Sequence, residues 1–122
     1  VPAMIEAGNG GSIIVVSSIG AFKATFGNPA YAASKAGAVQ LVRTLALAWA
    51  GEGIRVNGVR PGIIDTDIHA SGGQPDRARR LAPLIPMQRP GTAEEVAQAI
   101  MFLLGEKSSY TTGTLLDVAG GR

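Results

Sequence analysis

Residues 12–59 read SIIVVSSIGAFKATFGNPAYAASKAGAVQLVRTLALAWAGEGIRVNGV, and the order of elements in this stretch decides the fold. Ser12 to Ser17 (SIIVVS) is a short β-branched run without polar alternation, the pattern of a parallel strand covered on both faces. Ser18 to Asn28 follows as a loop of small residues. Pro29 stands where helices begin, and the run Ala30–Ala50 is dense in Ala and Leu, both strong helix formers. Gly51 and Gly53 stop it, and Ile54 to Val59 (IRVNGV) is a second strand ended by Pro61-Gly62. A connection of this length rules out a hairpin. The unit is βαβ, with parallel strands and a right-handed crossover.

Downstream, Ile63 to Gln74 reads as a loop, and Pro75 to Ala82 as a short charged helix closed by Pro83 and Pro86. Thr92-Ala-Glu-Glu95 is a capping-box pattern. It opens a helix whose Val96, Ile100, Leu103 and Leu104 share a face and whose stop is Gly105. Thr114 to Val118 is a last strand, and Gly120-Gly121 forms turns. Upstream, Val1 to Ala7 reads as the tail of a helix stopped by Gly8, Gly10 and Gly11, with an end signal but no start signal. The expectation is one partial domain over residues 1–122. Its fold class is α/β with a parallel sheet.

Composition agrees with this class. The chain has 122 residues, of which 46% are hydrophobic and 16% charged, enough to bury a core of Val, Ile, Leu and Ala. The net charge of +2 is small, and Arg77, Arg79 and Arg80 form the only dense basic group. That group reads as a solvated helix face, so no nucleic-acid partner is expected. No cysteine is present, which removes disulfides and thiolate chemistry and fits a reducing, cytoplasmic setting. The apolar run from Ala30 to Ala50 contains Ser34, Lys35, Gln40 and Arg43, so it reads as a soluble helix buried on more than one side, and no membrane partner is expected.

Tyr31 and Lys35 stand four apart, hence on one helix face near its N-terminal end. A phenol with the ordinary pKa of about 10 is a poor acid–base group at neutral pH, and a fixed ammonium beside a phenol favours the phenolate. The pair therefore has the composition of a proton donor and acceptor. Tyr-x-x-x-Lys recurs on helices by chance; its setting gives it meaning. Ser18 follows the carboxyl end of the first strand and Pro61-Gly62 that of the second, the edge where open α/β sheets place ligands.

The run IIVVSSIGAF, the motif Tyr31-Ala-Ala-Ser-Lys35, the run IRVNGVRPGIIDT and the terminal TG-x-x-L-x-V-x-GG pattern from Thr112 to Gly121 together resemble the short-chain dehydrogenase/reductase family over essentially the whole chain. The resemblance implies the C-terminal portion of a Rossmann-like, doubly wound parallel sheet, three strands with flanking helices, and hydride transfer between NAD or NADP and a small-molecule carbonyl or alcohol. Under it, Ser18 hydrogen-bonds the substrate oxygen and Tyr31 exchanges the proton. Lys35 binds the nicotinamide ribose beside Tyr31 and favours its phenolate. Pro61 and Gly62 shape the backbone beside the nicotinamide, Ile64 offers main-chain groups to the carboxamide, and Thr66 contacts the carboxamide or pyrophosphate. Ser17 takes a structural role, and Ile19, Phe26 and Asn28 line the substrate entrance. The family also implies a homo-oligomer, dimer or tetramer, formed through the long helix, whose small residues Ala30, Ala33, Gly37 and Ala38 permit close approach.

The family's glycine-rich phosphate loop, its Asn-Asn-Ala-Gly segment and its catalytic asparagine are not among these residues. They are expected upstream of Val1, together with the determinants of NAD against NADP, and the 122 residues alone are expected to be inactive. Ala119 stands where the family often has Asp. Two other functions stay open: a noncatalytic chain kept for association or small-ligand binding, and epimerase or dehydratase chemistry with bound cofactor. The remaining candidates read blandly. Asp65, Asp67 and His69 alternate, but no further histidine or cysteine completes a transition-metal set, so no metal is expected and all three read as solvated loop residues. Trp49 reads as a packing residue.

Overall fold

A computed structural model of the chain describes residues 1–23 and 28–122. Pro2–Ala7 forms a short helix, α1, with Pro2 in its first turn; Gly8 ends it in the left-handed region at φ 67°, its N–H donating to the Ile5 carbonyl. Gly11–Val16 is strand β1, and a 3-10 turn over Ile19–Ala21 follows. The long helix α2 spans Pro29–Trp49 and passes through a 3-10 turn at Ala50–Glu52 into strand β2, Ile54–Pro61. β1 and β2 pair in parallel, Gly11 opposite Ile54 through Val16 opposite Val59. The βαβ unit is as the sequence predicts.

The segment read as a loop is more ordered than its turn residues suggest. Ile64–Asp65 forms strand β3, and Ile68–Ser71 forms a single-turn helix, α3. Helix α4 covers Arg77–Leu81, and a 3-10 turn at Ala82–Leu84 places Pro83 where it costs no α-helical bond. Gly91–Thr92 is strand β4, which pairs in parallel with β3. Helix α5 follows at Ala93–Leu104, and strand β5 at Leu115–Val118 pairs with β2. The main sheet therefore runs β1-β2-β5, all parallel, with the β3-β4 ladder beside it.

Alternation along β2 divides the two faces of the sheet. Ile54 and Val56 are fully buried against Val42 and Ala46 of α2, with Met4, Ile13, Val15, Leu45, Trp49 and Leu115 around them. The opposite face belongs to α5. The Arg55 guanidinium donates to the carbonyls of Leu103, Leu104 and Gly105, and the Ser12 hydroxyl also donates to Leu103. β1 is half-buried rather than buried, because among the described residues it pairs on one edge only.

α2 departs from expectation. Its buried residues are Val39, Val42 and Ala46, and they lie on one side; Leu41 and Leu47 on the outer side are 56% and 86% exposed. Among the described residues, no helix is long and apolar enough to cross a membrane.

The Thr92–Glu95 capping box forms as its pattern predicts, each side chain bonding the other residue's backbone N–H. Arg89 adds two hydrogen bonds to the same carboxylate. The Arg89 guanidinium foremost, with the Thr92 N–H, holds the Glu95 carboxyl down to about 2 from its ordinary 4.5. A folded-state value below the unfolded one means that the unfolded chain binds the proton first. The contribution is thus complete above the unfolded value and lost as pH falls through about 2. Glu95→Gln should flatten the acid side of stability between those limits, read as urea midpoints across pH. An unchanged acid slope would refute this role.

Candidate active site

Three elements bring the predicted residues to the carboxyl edge of the main sheet. Ser18 follows β1 in extended conformation (φ −164°, ψ 154°) and caps the 3-10 turn, its hydroxyl accepting the Gly20 N–H at 3.1 Å. That turn packs against both α2 and β2. Ser18 is therefore held by its own cap, which uses its hydroxyl as acceptor, and no hydrogen bond among the described residues takes its hydroxyl hydrogen.

α2 presents Tyr31 in its first turn. Asn28 is the N-cap, its side-chain oxygen accepting the Tyr31 N–H at 3.0 Å, and Pro29 supplies a first-turn residue that needs no partner for a missing N–H. Tyr31 is 41% exposed, so its phenol reaches solvent at the sheet edge. The Lys35 ammonium lies 5.7 Å from the Tyr31 ring centroid and donates to the Val16 carbonyl at 3.2 Å. An ammonium has three N–H donors, so among the described residues two remain for other acceptors. Ser17, nearly fully buried, donates its hydroxyl to the Lys35 carbonyl at 2.9 Å. The strand that ends at Ser18 thus fixes the helix that carries Tyr31 and Lys35.

β2 contributes the third wall. Its extension past Val59 places Pro61 and Gly62 against the end of β5, where the Gly62 N–H donates to the Val118 carbonyl at 3.0 Å. A Cβ on Gly62 would stand 2.9 Å from both the Cα and the Cβ of Ala119. The glycine is required by close approach, and Ala119, read from sequence as a minor departure, is its contact. Gly62→Ala should displace this backbone and cost about 1–3 kcal/mol of stability through overpacking strain. Urea unfolding checks it, and a parental midpoint would refute it.

Ile64 and Thr66 continue from this turn. The Gly91 N–H donates to the Ile63 carbonyl at 2.9 Å, so the β3-β4 ladder and the Glu95 box behind it hold the segment. His69 corrects the reading of a solvated loop residue. It is 8% exposed, and its Nε2 bonds the Ile64 carbonyl at 2.7 Å. Nothing in its neighbours in sequence signals this burial. Asp65 and Asp67 are exposed. No group of three His, Cys, Asp or Glu side chains among the described residues could hold a metal.

On the substrate side, Ile19 is buried beneath its turn and the Asn28 side chain serves the helix cap. Phe26 lies outside the described residues. The tertiary structure adds Ser17, His69 and Ala119 to the residues that shape the site. Each does so through a contact between elements distant in sequence or through burial, and a local pattern carries neither.

A family model described as enoyl-(acyl carrier protein) reductase matches residues 1–122. The chain is similar to the uncharacterised oxidoreductase YgfF of Escherichia coli K12, 51% identical over 124 residues that cover 98% of this chain and 49% of the relative. It is also 45% identical over 122 residues to the 3-oxoacyl-[acyl-carrier-protein] reductase FabG of Thermotoga maritima, covering 99% of this chain and 48% of that protein. The structure of a 7α-hydroxysteroid dehydrogenase complexed with NADH and 7-oxo glycochenodeoxycholic acid superposes with a TM-score of 0.90 at 36% identity, over 98% of this chain and 47% of that one. The chain spans about half the length of the curated relatives it matches.

Proposed function

The chain belongs to the short-chain dehydrogenase/reductase family, and we propose on that footing that it is the C-terminal, catalytic half of a nicotinamide-dependent oxidoreductase acting on a carbonyl/alcohol pair. The carrying observation is the convergence of Ser18, Tyr31 and Lys35 on one sheet edge, tied by the Ser17 bond to Lys35 and the Lys35 bond to Val16. NAD or NADP, when bound, supplies or accepts the hydride. The residues present suit such a group: Lys35 would give its remaining ammonium donors to ribose hydroxyls, Gly62 leaves no side chain beside Ala119, and Ile64 and Thr66 would offer main-chain and hydroxyl groups.

In the reducing direction the substrate carbonyl oxygen accepts hydrogen bonds from the Ser18 and Tyr31 hydroxyls. As the carbonyl carbon gains hydride, negative charge grows on that oxygen, and the Tyr31 proton moves onto it. The C=O π bond becomes a C–H and an O–H bond, and Tyr31 is left as phenolate. The Lys35 ammonium stabilises that phenolate through space. Oxidation runs the same steps backward, with Tyr31 taking the alcohol proton. Ile19, Phe26 and Asn28 are the proposed substrate-side residues.

The exposed Leu41 and Leu47 support association of the intact enzyme as a dimer or tetramer through α2, and light scattering giving a monomeric mass across concentrations would remove that part. The direct test of the whole reading is a fluorescence titration with reduced nicotinamide cofactor. The intact protein should bind and the isolated 122 residues should bind weakly or not at all. Failure of the intact protein to bind would favour a noncatalytic ligand-binding or association role.

A further inference from the structure

The only histidine of the chain is buried, and the mechanism above gives it no task. Among the described residues its ring makes one hydrogen bond, from Nε2 to the Ile64 carbonyl at 2.7 Å. A carbonyl only accepts, so Nε2 carries the hydrogen. The acceptor is the main chain of the residue that the active-site reading sets against the nicotinamide carboxamide.

The direction of that carbonyl matters. Successive carbonyls of a strand point to opposite sides. Ile63 turns its carbonyl toward β4, where Gly91 donates to it, so the Ile64 carbonyl points away from the ladder. β3 is two residues long, too short to fix its free side alone. α3 is a four-residue turn, below the length at which a helix holds itself. The imidazole joins these two marginal pieces, and the Gln74 N–H, donating to the His69 carbonyl at 2.8 Å, anchors the histidine's own backbone.

We propose that His69 is a positioning residue for the nicotinamide, its Nε2–H fixing the Ile64 carbonyl and thereby the main-chain edge at Ile64–Thr66 that meets the carboxamide. The inference rests on the reading of the site as nicotinamide-dependent. His69 touches neither the substrate nor the reacting atoms. Its effect therefore falls on cofactor affinity and leaves the proton transfer at Tyr31 alone. A histidine serving the fold only would lower melting temperature without separating the two kinetic constants.

The test uses the intact protein, with KM for cofactor, kcat and melting temperature measured for each variant. His69→Phe keeps the bulk and removes the donor. It should raise cofactor KM about tenfold, the usual scale for an unmade buried hydrogen bond, with kcat within about twofold of the parent. His69→Gln, whose side-chain amide reaches the same carbonyl, should restore most of the affinity. His69→Asn, about one methylene too short, should behave as the phenylalanine variant does and covers the case in which that variant does not fold. An unmoved KM in His69→Phe or His69→Asn overturns the inference, and so does a loss in His69→Gln equal to theirs. Tyr31→Phe in the same preparation separates the premises: full turnover there overturns the site reading, whereas its loss beside an unmoved His69 KM overturns the inference alone.

Discussion

Tyr31→Phe in the intact protein should lower kcat by about a thousandfold, within the range that a positioned general acid contributes, while cofactor affinity should move no more than about tenfold for the loss of one hydroxyl contact. The ring stays, so the packing of the first turn of α2 and the Asn28 cap are unaffected: the cap bonds the Tyr31 backbone and not its phenol. The variant should fold as the parent does. What it lacks is the only phenol that shares a helix face with Lys35, whose ammonium is held by the Val16 carbonyl close to the ring. The other described tyrosine, Tyr110, is fully exposed after α5 and belongs to no part of this edge. Steady-state turnover with a substrate of the parent protein reads the effect, and undiminished kcat would remove Tyr31 from the chemistry.

The second large effect is on stability. Asn57 is completely buried in the middle of β2. Its amide nitrogen donates to the Thr111 carbonyl at 2.8 Å, and its amide oxygen accepts the Thr114 N–H at 3.1 Å. It thus ties the central strand to the segment that leads into β5, beside the bonds from the Gly58 N–H to Thr114 and from the Gly113 N–H to Val56. Asn57→Ala leaves the Thr114 N–H without its side-chain partner and the Thr111 carbonyl with only the longer bond from Arg55 at 3.4 Å, and it opens a cavity. The expected loss is about 3 kcal/mol, within the range for unsatisfied buried groups and core truncations. Asn57→Asp keeps the oxygen acceptor but loses the donor, so it should lose nearly as much. Urea unfolding of the parent and both variants measures this, and a change below about 0.5 kcal/mol, the scale of an ordinary surface substitution, would contradict the role.

The IRVN run is legible as a strand from its β-branched residues, but the tie made by Asn57 is not. A buried Asn is stable only because Thr111 and Thr114 meet it, and that meeting is decided by the parallel pairing of β2 with β5. The same division holds elsewhere. β1, α2, β2 and the capping box of α5 are written in local signals: β-branched runs, Ala- and Leu-rich periodicity, and a threonine three residues before a glutamate. The β3-β4 ladder has two residues on each side and joins segments separated by α3 and α4, so no periodicity announces it. α2 reads as buried on more than one side, yet among the described residues its buried positions Val39, Val42 and Ala46 lie on one side.

At the site the distinction is sharper. Ser18, Tyr31 and Lys35 are legible because helical spacing and the ends of two parallel strands bring them to one edge. The contacts that hold them there are not. Ser17 reaches the Lys35 carbonyl across the gap between β1 and α2. Ala119 stops a side chain at Gly62 because β5 ends where β2 turns. His69 looked like a loop residue among exposed aspartates, and its burial against Ile64 follows from how the segment between β3 and β4 folds back. These are consequences of packing between elements, absent from any window of residues.

The proposed work of this edge is to move a proton in step with a nicotinamide hydride. Its most direct test is cofactor-coupled turnover by the intact protein, followed through reduced-nicotinamide absorbance with ketones, aldehydes, β-ketoacyl thioesters and secondary alcohols. The expected result is oxidation or reduction of the cofactor with at least one of these classes, abolished in Tyr31→Phe. Absence of both cofactor binding and turnover across all of them would contradict it.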